Sequence, residues 1–174
     1  LSSMFLFRCL ARLYISVFRG TPCLVQLFII YFGGPQIGLE LEPFTAGVIG
    51  LGLNIAAYMA EDIRAGILAV PSGQQEAARA YGMPSGTLLR RIVLPQAWRI
   101  ATPALGNEVV SLLKATALVS TITVFDLTGV ARRLSNESYT TDALVLAGVV
   151  YGALTLLISA GVHFLERRRK SHAA

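Results

Sequence analysis

The stretch from Ala143 to Leu165 constrains this chain more than any other. It contains no Asp, Glu, Lys or Arg between Ala143 and Leu165, only His163 interrupts it, and Arg167-Arg168-Arg169-Lys170 follows. About 20 apolar residues suffice to cross bilayer hydrocarbon as a helix, and basic residues favour the headgroups at one end. The run therefore predicts a membrane-spanning helix. Composition agrees, since only 14% of the 174 residues are charged. A soluble domain carries about 25%.

Three further stretches suit the same environment. Tyr14 to Phe32 is long enough for a crossing, although Arg19 interrupts it, and Gly33-Gly34-Pro35 ends it. Phe44 to Leu68 forms a second span, stopped by Pro71. Residues 97–122 form a third, which holds Asn107, Glu108 and Lys114. Residues 1–20 place Arg8, Arg12 and Arg19 along one helical side, as in a basic amphipathic entry near headgroups. Gly33 to Pro43 reads as a loop, and Thr123 to Asp142 as looped or interfacial. The expectation is a single all-α domain over 1–174, a polytopic bundle of about four spans.

The basic residues set its orientation. Arg8, Arg12 and Arg19 precede the first span. Arg64, Arg79, Arg90, Arg91 and Arg99 surround the middle loop, and Arg167 to Lys170 close the chain. These regions alternate onto one side, which holds twelve basic residues against Arg132 and Arg133 on the other. By the positive-inside rule the middle loop and the C-terminus are cytoplasmic. The net charge of +5 thus fits an anionic membrane surface. Nucleic-acid binding is disfavoured, since no aromatic-basic interleaving occurs in a soluble segment.

Cys9 and Cys23 form no CxxC and read as small apolar fillers. His163 and His172 read as interfacial and tail residues. The chain opens on Leu-Ser-Ser without a signal peptide, as expected of a fragment.

Residues 72–95 differ in kind from the spans. Ser72 with Gln75 forms a capping-box pattern, so a helix should start there. Gly82 suits the left-handed residue after its end. Pro84 suits the first turn of a second short helix, which Leu94-Pro95 should end. The product is a helical hairpin on the cytoplasmic side. Gln74, Ala77, Ala78 and Tyr81 share a shallow face open to another protein. Leu88, Leu89 and Ile92 form a patch that packs under the bundle.

Glu76-Ala77-Ala78, Gly82, Ile92, Leu94 and Pro95 stand at the offsets of an E-A-A, G, I-x-L-P pattern. This pattern resembles the EAA loop of bacterial ABC-importer permeases. The resemblance implies a type I importer permease in the bacterial cytoplasmic (inner) membrane. It also implies that 72–95 is a coupling hairpin seated on a cytoplasmic ATP-binding subunit. ATP and magnesium would belong to that partner and no cofactor to this chain, which has no phosphate-binding loop of its own. The chain would then be a transport subunit and not an enzyme. A second permease subunit, homo- or heteromeric, and an extracytoplasmic substrate-binding protein complete the implied assembly.

Phe18-Arg19-Gly20-Thr21-Pro22 with Leu24-Val25-Gln26 is similar to the entry segment of polar amino-acid permeases of the histidine/glutamine/arginine type. So are Asn54 to Glu61 with Arg64-Ala65-Gly66, and Leu113 to Leu118. The first transmembrane helix of that family has no counterpart here. Ala115 and Ala117 stand where Asp and Ser are frequent, and Asp126 where Glu is frequent, which leaves the particular amino acid open.

Ionisable groups within spans are costly and usually face a bundle interior or a water-filled path. Asn54, Tyr58 and Glu61 share one helical face. Asn107, Ser111 and Lys114 share another, with Glu108 beside them. Two such stripes could supply acceptors for the ammonium and donors for the carboxylate of an amino acid. Alternatively, Glu108 and Lys114 pair with neighbouring helices or a second subunit, and Asn54 only bridges helices. Other functional classes are a permease for another small solute, a membrane-embedded enzyme and a structural anchor. An enzyme would need a constellation such as His-Glu-x-x-His or Gly-x-Ser-x-Gly, and neither is present.

Overall fold

A computed structural model describes the backbone of residues 3–171 and the side chains of residues 5–164. The side chains of Arg167 to Lys170, and His172 entirely, lie outside the described residues. Among the described residues every regular element is helical.

Helix α1 (Ser3–Gly20) meets α2 (Cys23–Phe28) at a bend of 109°. The apolar run expected to be one straight crossing is thus a broken pair, Phe5–Gly20 and Cys23–Ile37. Pro22 causes the break. It disfavours the helical conformation at Thr21 and is itself extended, with φ −64° and ψ 135°. After α2 the chain widens into a π turn at Ile29–Gly33 and tightens into a 3₁₀ turn at Gly34–Ile37.

Helix α3 (Pro43–Leu68) is continuous and is long and apolar enough to cross a membrane. It packs most extensively on α6 (Leu94–Ala115). Gly66 permits this approach, because a Cβ there would lie 2.8 Å from the Ala97 carbonyl oxygen and 2.9 Å from Ala101 Cβ. Small residues draw membrane helices together in this way, since the gain is close van der Waals packing. A second cluster centres on Leu27, Ala46, Leu51, Val119 and Ile122, with Cys23 packed against it. Cys23 thus fills space, whereas Cys9 is exposed on α1.

Between α3 and α6 lie α4 (Ser72–Ala80) and the short α5 (Ser85–Leu88). The expected hairpin is present, with three changes. Ser72 is already the first helical residue, and Pro71 occupies the cap position without any side-chain cap bond, so the capping box does not form. Pro84 sits one residue before α5, in the cap position. Pro95 does not end a helix: α5 continues through a π turn at Leu89–Val93 into α6, giving one helical stretch over Ser85–Ile122. Proline lacks an N–H, and its ring crowds the carbonyl four residues back. A widened turn just before Pro95, in which Leu94 N–H reaches Leu89 C=O, accommodates that ring.

The end of α4 follows expectation closely. Gly82 has φ +74°. Its N–H bonds Arg79 C=O at 2.9 Å, and Met83 N–H bonds Ala78 C=O at 3.1 Å. This is a Schellman closure, which satisfies carbonyls the helix would otherwise leave open. Val70, Ala78, Leu88, Val93 and Ala97 are buried together, with Met83 and Ile92 against them. The hairpin is therefore fastened to the bases of α3 and α6.

Beyond α6 a 3₁₀ stretch, Thr116–Ile122, ends at Thr123 with φ 67°. The segment expected to be looped or interfacial contains a helix, α7 (Leu127–Ser138), capped by Asp126, whose carboxylate accepts from Gly129 N–H at 2.8 Å. Helix α8 (Asp142–Ser171) includes the span Asp142–Phe164. Three described helices are long and apolar enough to cross a membrane, or four if the bent pair counts as one span.

Candidate functional site

The bend, α3 and α6 enclose a cavity of about 340 Å³. Thr21, Pro22 and Cys23 supply the wall at the bend. Helix α3 contributes Leu51, Asn54, Ile55 and Tyr58, and α6 contributes Glu108, Ser111, Leu112 and Ala115. Both sets follow the three- and four-residue spacing of one helical face. The cavity is thus lined by two facing stripes, closed at one side by the kink that Pro22 imposes.

The stripes differ from the expected ones. Asn54, Tyr58, Glu108 and Ser111 come together, whereas Glu61, Asn107 and Lys114 do not line the cavity. On α6 the lining face is displaced by one residue, so Glu108 and not Asn107 heads it, and Asn107 and Lys114 are exposed. Among the described residues neither Glu108 nor Lys114 forms an ion pair. Glu61 lies a turn beyond Tyr58 and pairs with Arg64 and, at 3.9 Å, with Arg19. Arg19 in turn lies over the Tyr58 ring, 5.2 Å from its centroid. The arginine and carboxylate thus border the cavity through Tyr58.

Glu108 is the only acidic side chain lining this cavity. Asn54, Tyr58, Thr21 and Ser111 are the polar neutral groups there. One carboxylate accepts hydrogen bonds from one ammonium, while hydroxyls and amides can accept from it or donate to a carboxylate. The contribution of the bend was not foreseen. Its signal was Thr21-Pro22 inside an otherwise apolar run.

In the hairpin, Glu76, Ala77, Gly82, Leu94 and Pro95 are exposed, Ile92 is half-buried and Ala78 is buried. The shared shallow face is therefore divided. Ala78 faces the bundle, and Gln74 accepts a hydrogen bond from Gln96 at the start of α6 (2.6 Å). Ala77 and Tyr81 remain open, Tyr81 at 92% exposure. In the second patch Leu88 is buried, but Leu89 is exposed.

This architecture is that of a multi-pass membrane transport subunit, with a polar cavity among its spans and a helical hairpin between two of them. Residues 1–171 match the family of binding-protein-dependent transport system inner membrane components, and the chain belongs to that family. It is an ABC importer permease subunit, a transport subunit in a family whose ATPase activity resides in a separate chain.

It is 42% identical over 165 residues to the arginine transport system permease protein ArtQ of Bacillus subtilis (strain 168), covering 94% of this chain and 75% of that protein. It is 40% identical over 169 residues to the L-cystine transport system permease protein TcyB of the same organism, covering 96% and 72%. A crystal structure of an amino acid ABC transporter with histidines superposes with a TM-score of 0.91 at 43% identity, covering 96% of this chain and 78% of that one. The inward-facing MetNI methionine ABC transporter shares the fold, with a TM-score of 0.78 at 21% identity over 97% and 77% of the two chains.

Proposed function

We propose that this chain forms the translocation path for a polar amino acid, with the cavity between α3 and α6 as the site where the solute is held. The observation that supports this most is the convergence of Asn54, Tyr58, Glu108 and Ser111 on one cavity at the bend. Glu108 accepts the ammonium, and the Ser111 and Tyr58 hydroxyls serve the carboxylate. Glu61 braces Arg19 beside Tyr58. Lys114, exposed within a span, and Asn107 face a second permease subunit, since an unpaired ammonium in hydrocarbon is costly.

The hairpin 72–95 receives force from a cytoplasmic ATP-binding subunit, which holds ATP and magnesium. Glu76, Ala77, Gly82 and the exposed Tyr81 form the docking surface. Ala78, Ile92, Leu94 and Pro95 tie it to α6. The C-terminus lies on the same cytoplasmic side, and an extracytoplasmic binding protein delivers solute from the other. Ala115 on the cavity wall leaves Glu108 as the single lining acid. The lining offers a cationic side chain no second carboxylate, the nearest on α3 being Glu61 and Asp62 a turn beyond Tyr58, so neutral polar amino acids are preferred.

Uptake by the reconstituted importer tests the cargo. Radiolabelled L-glutamine and L-histidine should be imported with ATP, L-arginine less well, and maltose not at all. Import of maltose but no amino acid would overturn the assignment.

A further inference from the structure

Gln26 is a buried polar side chain, only 7% exposed, and it does not line the cavity. Its amide nitrogen donates to Thr21 Oγ1 (2.7 Å), Phe18 C=O (2.9 Å) and Thr21 C=O (3.0 Å). Two N–H groups thus serve three acceptors, all at the end of α1 or in the bend. Thr21 Oγ1 spends its own proton on Val17 C=O (2.8 Å), so it can only accept from Gln26. With the Gln26 nitrogen committed, its oxygen faces α3, where it accepts from Asn54 Nδ2 at 2.9 Å. The same Asn54 nitrogen reaches toward Phe18 C=O at 3.4 Å. Every direction in this chain of bonds follows from main-chain carbonyls, which can only accept.

We infer that Gln26 is a positioning residue of the solute site. It satisfies the carbonyls that the 109° bend opens, and it fixes which end of the Asn54 amide faces the cavity. Because Gln26 and Phe18 hold the Asn54 nitrogen, the Asn54 oxygen is the atom left to accept from an ammonium, beside Glu108. Without Gln26 the Asn54 amide is free to turn, and its nitrogen would then oppose that cation. Gln26, anchored by its bonds to Phe18 and Thr21, thereby sets the acceptor at Asn54.

This inference rests on the cavity being the solute site, and the experiment separates the two. The permease, assembled with its ATPase, reconstituted in proteoliposomes and supplied with saturating substrate-binding protein, is assayed for uptake of L-glutamine, L-histidine and L-arginine as Gln26→Met, Asn54→Leu and the double variant. Gln26→Met should raise KM about tenfold with Vmax within about twofold, the loss expected for a hydrogen-bonding partner in a buried site. The double variant should be no worse than Asn54→Leu alone. A raised KM for Asn54→Leu with an unchanged KM for Gln26→Met overturns the role of Gln26 but keeps the site. An unchanged KM for Asn54→Leu overturns the site itself and the role of Gln26 with it. Multiplicative effects in the double variant show that Gln26 acts other than through Asn54, which also overturns the inference. Should Gln26→Met fail to co-purify with the ATPase, the isosteric Thr21→Val removes the nearest acceptor of Gln26, together with the Thr21 bond to Val17 C=O. It should raise KM in the same direction by a few-fold, and no rise would contradict the inference.

Discussion

Arg19 lies over the ring of Tyr58, its guanidinium carbon 5.2 Å from the ring centroid, while Glu61 one turn along α3 approaches Arg19 at 3.9 Å. One face of a cavity-lining aromatic is thus covered by a cation from the far side of the bend. Cation–π contacts contribute about 0.5–1 kcal/mol at partly exposed sites, and Arg19 is partly exposed. Arg19→Ala should therefore lower the uptake rate by roughly two- to fivefold, and Arg19→Lys by less, because an ammonium keeps the charge but not the flat stacking surface. Initial-rate uptake in proteoliposomes checks this, and equal losses for both variants would point to a role other than stacking.

The turn at Gly82 makes a sharper prediction about the hairpin. Its φ of +74° is costly for any side chain, although a Cβ there would meet nothing within 4 Å. The expected cost of Gly82→Ala is thus conformational alone, about 1–2 kcal/mol. Gly73, within α4, also has open space around it but no positive φ. Gly73→Ala should stabilise its helix slightly, by up to about 1 kcal/mol. Co-purification of the ATP-binding subunit should fall for Gly82→Ala and more for Gly82→Asp, while Gly73→Ala retains it.

The crossing of α3 and α6 predicts the reverse kind of sensitivity, to volume and not to conformation. Gly66 meets Ala97 and Ala101 at distances that leave no room for a Cβ. Overpacking a tight contact costs about 1–3 kcal/mol. Gly66→Leu should lower the melting temperature of the detergent-solubilised permease by several degrees, whereas Gly52→Leu on the same helix, with nothing near it, should not.

Much of this architecture is legible in the residues alone. The apolar runs marked the spans, and Gly82 with its Glu76-Ala77-Ala78 offset marked the hairpin and its closure. What escaped depends on tertiary partners. Pro22 breaks the helix locally, but the bonds that hold the 109° bend against α3 depend on Asn54, distant in sequence, meeting Gln26. Pro95 lies within a continuous helix because a π turn before it makes room, and no local pattern predicts such a turn. Helix α7 was missed although Asp126 is a good cap, since the residues around it lack a long apolar face. The lining stripe on α6 lies one residue from the one its polar spacing suggests. Asn107-Ser111-Lys114 and Glu108-Ser111-Ala115 are overlapping faces of one helix, and only the positions of its neighbours decide which looks inward.

In the proposed translocation path Glu108 accepts the ammonium of the solute. The most direct test is the KM for amino-acid uptake by the Glu108→Gln importer, set against Glu137→Gln, an exposed carboxylate on α7 paired with Arg133. A charge-assisted hydrogen bond contributes about 1.5–3 kcal/mol, so Glu108→Gln should raise KM roughly 10- to 100-fold. Glu137→Gln should leave it unchanged. An unaltered KM in the Glu108→Gln importer would show that Glu108 does not hold the ammonium.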